Sequence, residues 1–187
     1  MPSIEIHDLK SMEEPLAGRR TTGIDTVRLL SVAAMKRLFR FAGGVRFGAT
    51  LLQDPGNDKF GVVHSIFRDN IDEISQKAIF VMIGQKKRTL LPRHIAMVGT
   101  IMGEHGDMKD LPHIPRAPIK RRIHYMNSRS IRLNDVAVRM ITSLAIDRTV
   151  RALRSGVGLA AHENGRITVR DRDVRNAHTI CRDYPNY

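Results

Sequence analysis

Two short stretches could do chemistry of the same kind: Lys86-Lys87-Arg88-Thr89 in the first half of the chain and Gly165-Arg166-Ile167-Thr168 in the second. The first gathers three cations and the second one arginine, each with one hydroxyl and no carboxylate between them, a set that suits the oxygens of a phosphate. Other patterns exclude themselves. Ser128 and Ser130 have no base beside them for nucleophilic work. The eight histidines show no ligand spacing with Cys or Glu, so no metal is expected. Gly43-Gly44 precedes no strand and fits a helix stop rather than a phosphate cradle. Asp72-Glu73 falls on the outer side of a helical wheel and is expected to be solvated. These exclusions predict a protein that is not an enzyme and carries no cofactor.

Each basic stretch follows a long amphipathic segment and precedes a short apolar one, so a helix-loop-helix unit is written twice. Residues 1–24, with Pro2, Pro15, Gly18 and Gly23, read as a flexible arm. Ser31 caps a short helix, Val32 to Phe41. A loop from Val45 to Asp58 leads to Phe60, Val63, Phe67, Ile71, Ile74, Ala78 and Met82, spaced by three or four as on one face of a long helix. Pro92 then suits the first turn of a third helix, to Met102. The first unit is 25–103, and the Pro- and Gly-containing stretch 104–118 reads as a linker. The second unit, 119–187, repeats the order: a basic helix Ile119 to Met126, a loop through Arg129, a long helix capped at Asn134-Asp135, and a closing helix from Asp171 to about Cys181. The second long helix has a less regular stripe (Val138, Ile141, Leu144, Ala145, Leu153, Val157 and Ala160 or Ala161). It also holds Gly156 and Gly158, so it weakens there or is closely approached. Thr168-x-x-Asp171 looks like its successor's capping box.

The 31 Lys+Arg against 19 Asp+Glu give a net charge of +12, which favours a polyanionic partner. Residues 105–187 hold 16 of the cations, 14 of them Arg, whose planar fork suits bidentate phosphate contact and narrow grooves. The absence of Trp points away from a sugar or cofactor pocket. Cys181 stands alone and excludes a disulfide framework. No apolar run approaches the ~18 residues of a membrane span, and an opening with Glu5, Asp8, Glu13 and Glu14 lacks a signal peptide's pattern, so no membrane partner is expected.

A short, long and short helix repeated in one basic chain resembles the histone fold. Met35-Lys36-Arg37-Leu38-Phe39-Arg40-Phe41-Ala42-Gly43-Gly44-Val45 is similar to the first helix of core histone four, and Lys87-Arg88-Thr89 resembles its second loop. Ile131-Arg132-Leu133, Leu159-Ala160-Ala161-His162 and Arg166-Ile167-Thr168 followed by Asp173 are similar to core histone three. Leu91-Pro92-Arg93-His94 also resembles histone two-A, and parts of the first long helix resemble two-B. The resemblance implies an all-α chain of two tandem histone folds forming an intrachain handshake pair, as in the fused doublets of giant DNA viruses and of some archaea.

It implies roles as well. Arg132 matches a loop-one arginine that enters the minor groove, with Arg166 and Thr168 at the opposing loop; Arg46, Lys87, Arg88 and Thr89 take those stations in the first unit. Arg37, Arg40, Arg121 and Arg122 lie on first helices, and Lys86, Arg129 and Arg170 flank the loops. Arg166 and Asp173 are implied to form an ion pair bracing loop two, and His162 to support self-association through the second unit. The sequence departs in three places: Phe47 replaces an arginine, Gln53 to Asp58 is an insertion, and His94 replaces the acidic member of the first unit's brace. The expected function is sequence-independent wrapping and compaction of double-stranded DNA in a nucleosome-like particle, alongside a second doublet, in a virion, viral factory or host nucleus. A histone-fold subunit that dimerises without wrapping DNA, a two-B/two-A-like doublet and an RNA-binding basic protein are the alternatives.

Overall fold

A computed structural model describes residues 28–44, 46–48, 51–52, 60–103, 114–127 and 131–183. The arm 1–24, Arg129, the Gln53–Asp58 insertion and most of the linker lie outside the described residues. Six helices and four two-residue strands follow in order: α1 Val32–Phe41, β1 Arg46–Phe47, α2 Gly61–Gly84, β2 Thr89–Leu90 and α3 Pro92–Ile101, then α4 Arg116–Met126, β3 Arg132–Leu133, α5 Asp135–Asn164, β4 Thr168–Val169 and α6 Asp171–Asp183.

Local chemistry sets the ends. Ser31 Oγ accepts the Ala34 N–H at 3.1 Å and starts α1. The helix stops where Gly43 turns left-handed at φ +83° and the Gly44 N–H returns to the Phe39 carbonyl at 3.0 Å. Gly44 is required for a separate reason: a Cβ there would sit 2.0 Å from the Phe39 ring. The Asn134 side chain accepts the Val136 and Ala137 N–H groups and starts α5. α4 begins three residues earlier than the sequence pattern suggests. Pro118 stands in its first turn, where no N–H is needed, so it extends the helix rather than the linker.

The long helices α2 and α5, about 36 and 45 Å at 1.5 Å per residue, pack on each other and carry the rest: α3 and α4 against both, α1 chiefly on α5, and α6 chiefly on α5. The apolar stripe of α2 is buried from Val63 to Met82, with Phe60 only half-buried. Val62, Ile66 and Ile79 are buried too, because partners lie on more than one side. The same reason explains the irregular stripe of α5. Residues 141 to 146 are all buried, including Thr142 and Ser143, on a helix that packs against each of the other five. At the crossing Asn70 Nδ2 donates to Thr149 Oγ1 at 3.2 Å, and that hydroxyl donates to the Ala145 carbonyl at 2.7 Å. Of the two glycines in α5, only Gly156 is closely approached: its missing Cβ would lie 3.1 Å from Val174 Cα, whereas Gly158 faces open space.

Candidate nucleic-acid interface

The four strands bring the halves of the chain together in crossed fashion. β1 pairs in parallel with β4, placing Arg46 opposite Thr168, and β2 pairs in parallel with β3, placing Thr89 opposite Arg132. Backbone bonds lock each pair: Gly48 N–H to the Val169 carbonyl at 2.9 Å, Arg132 N–H to Arg88 at 3.0 Å and Asn134 N–H to Leu90 at 3.1 Å. Alternation along a strand then sorts the side chains. Val169 and Leu90 go into the core, while Arg46, Thr168 and Arg132 are exposed and Thr89 is half-buried. Each loop pair therefore presents one arginine beside one threonine, drawn from different units. Lys86, Lys87 and Arg88 are exposed at the β2 turn, where Lys86 holds a left-handed φ of +53°.

The turn before α6 is held by a buried carboxylate. Asp173, 3% exposed, receives Arg166 Nη1 at 3.1 Å and Nη2 at 3.0 Å, and its Oδ2 accepts the Arg170 N–H at 2.8 Å. Burial alone would raise this carboxyl, but the Arg166 and Arg170 hydrogen bonds and the charges of Arg166 and Arg172 hold it below its usual range. The cap of α6 is thus Arg170 with Asp173 reaching back, not Thr168 with Asp171. Arg166 points along the protein as much as outward. Its Nη1 also donates to the Thr168 carbonyl at 3.2 Å, so it shapes the loop that Thr168 presents.

The turn before α3 is built the same way without charge. His94, fully buried, accepts the Leu91 N–H on Nδ1 at 3.1 Å, and its Nε2 meets Gln85 Oε1 at 3.2 Å. The sequence reading leaves this turn without a brace because the acidic residue is missing. A histidine three residues after the N-cap position, following Leu91-Pro92, was the available signal.

The first helices divide their cations. Arg37 and Arg40 are exposed on α1 with Lys36, and Arg121 is exposed on α4. Arg154 of α5, not singled out by its sequence context, is exposed and lies 5.7 Å over the exposed Phe41 ring at the end of α1. Arg122 is different. It turns inward and makes a bidentate pair with Asp72, Nε to Oδ1 at 2.9 Å and Nη2 to Oδ2 at 2.6 Å. The expectation that Arg122 faces phosphate is corrected, since successive helical residues diverge by about 100° and only Arg121 keeps the outward direction. Asp72-Glu73 is likewise not solvated surface. Glu73 accepts Arg148 Nη1 at 2.7 Å and Lys77 Nζ at 2.6 Å. Burial would raise Glu73, but these two cations lower it below its ordinary value. Arg170 is exposed beside its loop, and His162 is exposed in the last turn of α5. Among the described residues no three His, Cys, Asp or Glu side chains converge as metal ligands, and no helix is long and apolar enough to cross a membrane.

No protein-family model matches this chain, and no curated protein matches it either. Among solved structures it is similar to the crystal structure of the histone from Methanopyrus kandleri, with a TM-score of 0.62 and 22% sequence identity over 79% of this chain and 92% of that one. At that identity the likeness shows the fold, an all-α histone fold; within it the strand pairings above join the two halves of the chain.

Proposed function

We propose that this chain is a structural, non-enzymatic DNA-binding protein, a fused histone doublet that wraps and compacts duplex DNA through sequence-independent phosphate and minor-groove contacts. The observation that carries the reading is the pair of crossed loop contacts, each with an exposed arginine next to a threonine. Exposed Arg37, Arg40 and Arg121 on the first helices supply further cations, and the net charge of +12 exceeds what a pairing module needs. Arginines aimed at the backbone and into a compressed minor groove accept any bendable sequence. The packaged DNA would be that of a virus, in its particle or factory, or of a host nucleus.

The binding step is tested by a salt titration with arbitrary-sequence DNA. Six phosphate contacts give log K against log salt a slope of about −5, and a flat response overturns the reading. Wrapping is tested separately by nuclease digestion of reconstituted complexes, which should leave discrete protected lengths. Competition with RNA should favour duplex DNA.

A protein partner is favoured by one further observation. Phe80 is 69%, Ile101 72% and Met97 45% exposed at the end of α2 and on α3, more apolar surface than a finished particle would leave there. A second doublet is the partner this reading assigns to that end, and self-association is assigned to the second unit through His162. Sizing of wild type and His162→Ala tests the latter, with unchanged self-association counting against it. A histone-fold subunit that binds only protein is the other reading, and it predicts no salt-sensitive DNA affinity.

A further inference from the structure

The two turns that precede α3 and α6 share one geometry and differ in chemistry. In each, the N–H of the residue before the helix donates to the side chain three positions on: Leu91 to His94 Nδ1 at 3.1 Å, and Arg170 to Asp173 Oδ2 at 2.8 Å. In each, that residue's own N–H returns to the capping carbonyl, His94 to Leu91 at 3.0 Å and Asp173 to Arg170 at 3.1 Å. We propose that His94 is a positioning residue for the Lys87–Leu90 turn that works only as the neutral imidazole, so that mild acid releases this turn while the Arg166–Thr168 turn stays in place.

Because Nδ1 accepts, the ring proton sits on Nε2 and donates to Gln85 Oε1 at 3.2 Å. An imidazolium carries a proton on both nitrogens, so Nδ1–H would face the Leu91 N–H, donor against donor, on a ring that is itself closed off from solvent. The charges acting on the ring are Arg93 of its own helix and Lys87 of the turn, both cationic, and the neighbour on the α2 side is the neutral Gln85. Burial first, then Arg93 and Lys87, hold its pKa below the ordinary 6.5. A group kept neutral by the fold contributes fully above 6.5, and its contribution is lost as pH falls through the lowered folded value. Freeing the Leu91 N–H unpins the start of α3 and, through the Arg88 and Leu90 carbonyls, the backbone that fixes Arg132. Asp173 behaves otherwise, because its carboxylate stays ionised below the ordinary 3.8 and keeps the second brace intact.

The test is residue-resolved amide exchange on the full chain without DNA, corrected for intrinsic rates, between about pH 7.5 and about pH 5. Protection of the Leu91 amide should fall about tenfold or more while that of Arg170 holds, in step with titration of the His94 imidazole followed by NMR. The double variant Gln85→Arg with His94→Asp puts an ion pair that does not titrate in this range in place of the Gln85–His94 contact and should abolish the selective loss. Parallel loss at both turns, loss out of step with the His94 titration, or persistence of the Leu91 loss in a folded double variant overturns the proposal. If that variant does not fold, the wild-type comparison decides alone. The readout needs no nucleic acid, so its failure is separate from failure of the DNA reading.

Discussion

Asp72 and Arg122 are joined by two hydrogen bonds of 2.9 and 2.6 Å with side chains only 15% and 10% exposed, and they come from different units of the chain. The neighbouring Glu73 holds Arg148, also of the second unit, at 2.7 Å. Two adjacent carboxylates of α2 thus tie α4 and α5 to the first unit. They add direction to a clasp whose energy comes mainly from buried Ile, Leu, Val and Phe.

Removing Arg122 leaves the Asp72 carboxylate, only 15% exposed, without its bidentate donor. Arg122→Ala should lower unfolding free energy by about 3 kcal/mol in urea titration and leave the salt slope of DNA binding unchanged. A shallower slope at unchanged stability would return Arg122 to the interface.

Arg46 and Arg132 offer the opposite case, since both are exposed on their strands. Replacing both by Ala should reduce the magnitude of the salt slope by about two and alter stability by no more than about 0.5 kcal/mol. Undiminished affinity at moderate salt would remove the loop pairs from the binding surface. Arg166 is unsuited to this test because its loss also breaks the Asp173 brace.

Acid should act on Asp173 in a defined window. Its folded pKa lies below 3.8, so its contribution is complete above the ordinary value and disappears as pH falls through the lowered one. Asp173→Asn should cost about 3 kcal/mol near neutral pH, and its stability should change less than wild type between about pH 4 and about pH 2. Identical pH slopes for the two proteins would show that the carboxylate is not ionised by the fold.

The two glycines of α5 should respond with opposite signs. Gly158→Ala meets open space and should gain about 1 kcal/mol from helix propensity. Gly156→Ala places a methyl 3.1 Å from Val174 Cα, a backbone atom that cannot swing aside, so α6 must shift and stability should fall. Thermal melts of both variants check this, and a stabilised Gly156→Ala would mean that α6 docks loosely.

Helix positions were readable where one rule dominated. Ser31 and Asn134 start helices because their side chains take free N–H groups, and Gly43-Gly44 ends one because the left-handed turn needs no Cβ. The α2 stripe followed three- and four-residue spacing and is buried from Val63 to Met82. The middle of α5 was harder to read, because residues 141 to 146 are buried without a break and leave no exposed polar face from which to recognise a period. Pro118 misled in the other direction, since a proline that ends a helix in its interior extends one in its first turn.

The amino-acid order by itself determined the two copies of short, long and short helix, the excess of arginine, and the two basic turns with their threonines, because each of these depends on neighbours within a few residues. The tertiary structure alone decided which cations face outward. Arg121 and Arg122 are adjacent, yet only contact with Asp72, far away along the chain, turns one of them into the core. It alone also placed Arg46 beside Thr168 and Arg132 beside Thr89, and made His94 a brace. Long-range pairing carries no local signal, because its partners are chosen by packing geometry and desolvation after the helices exist.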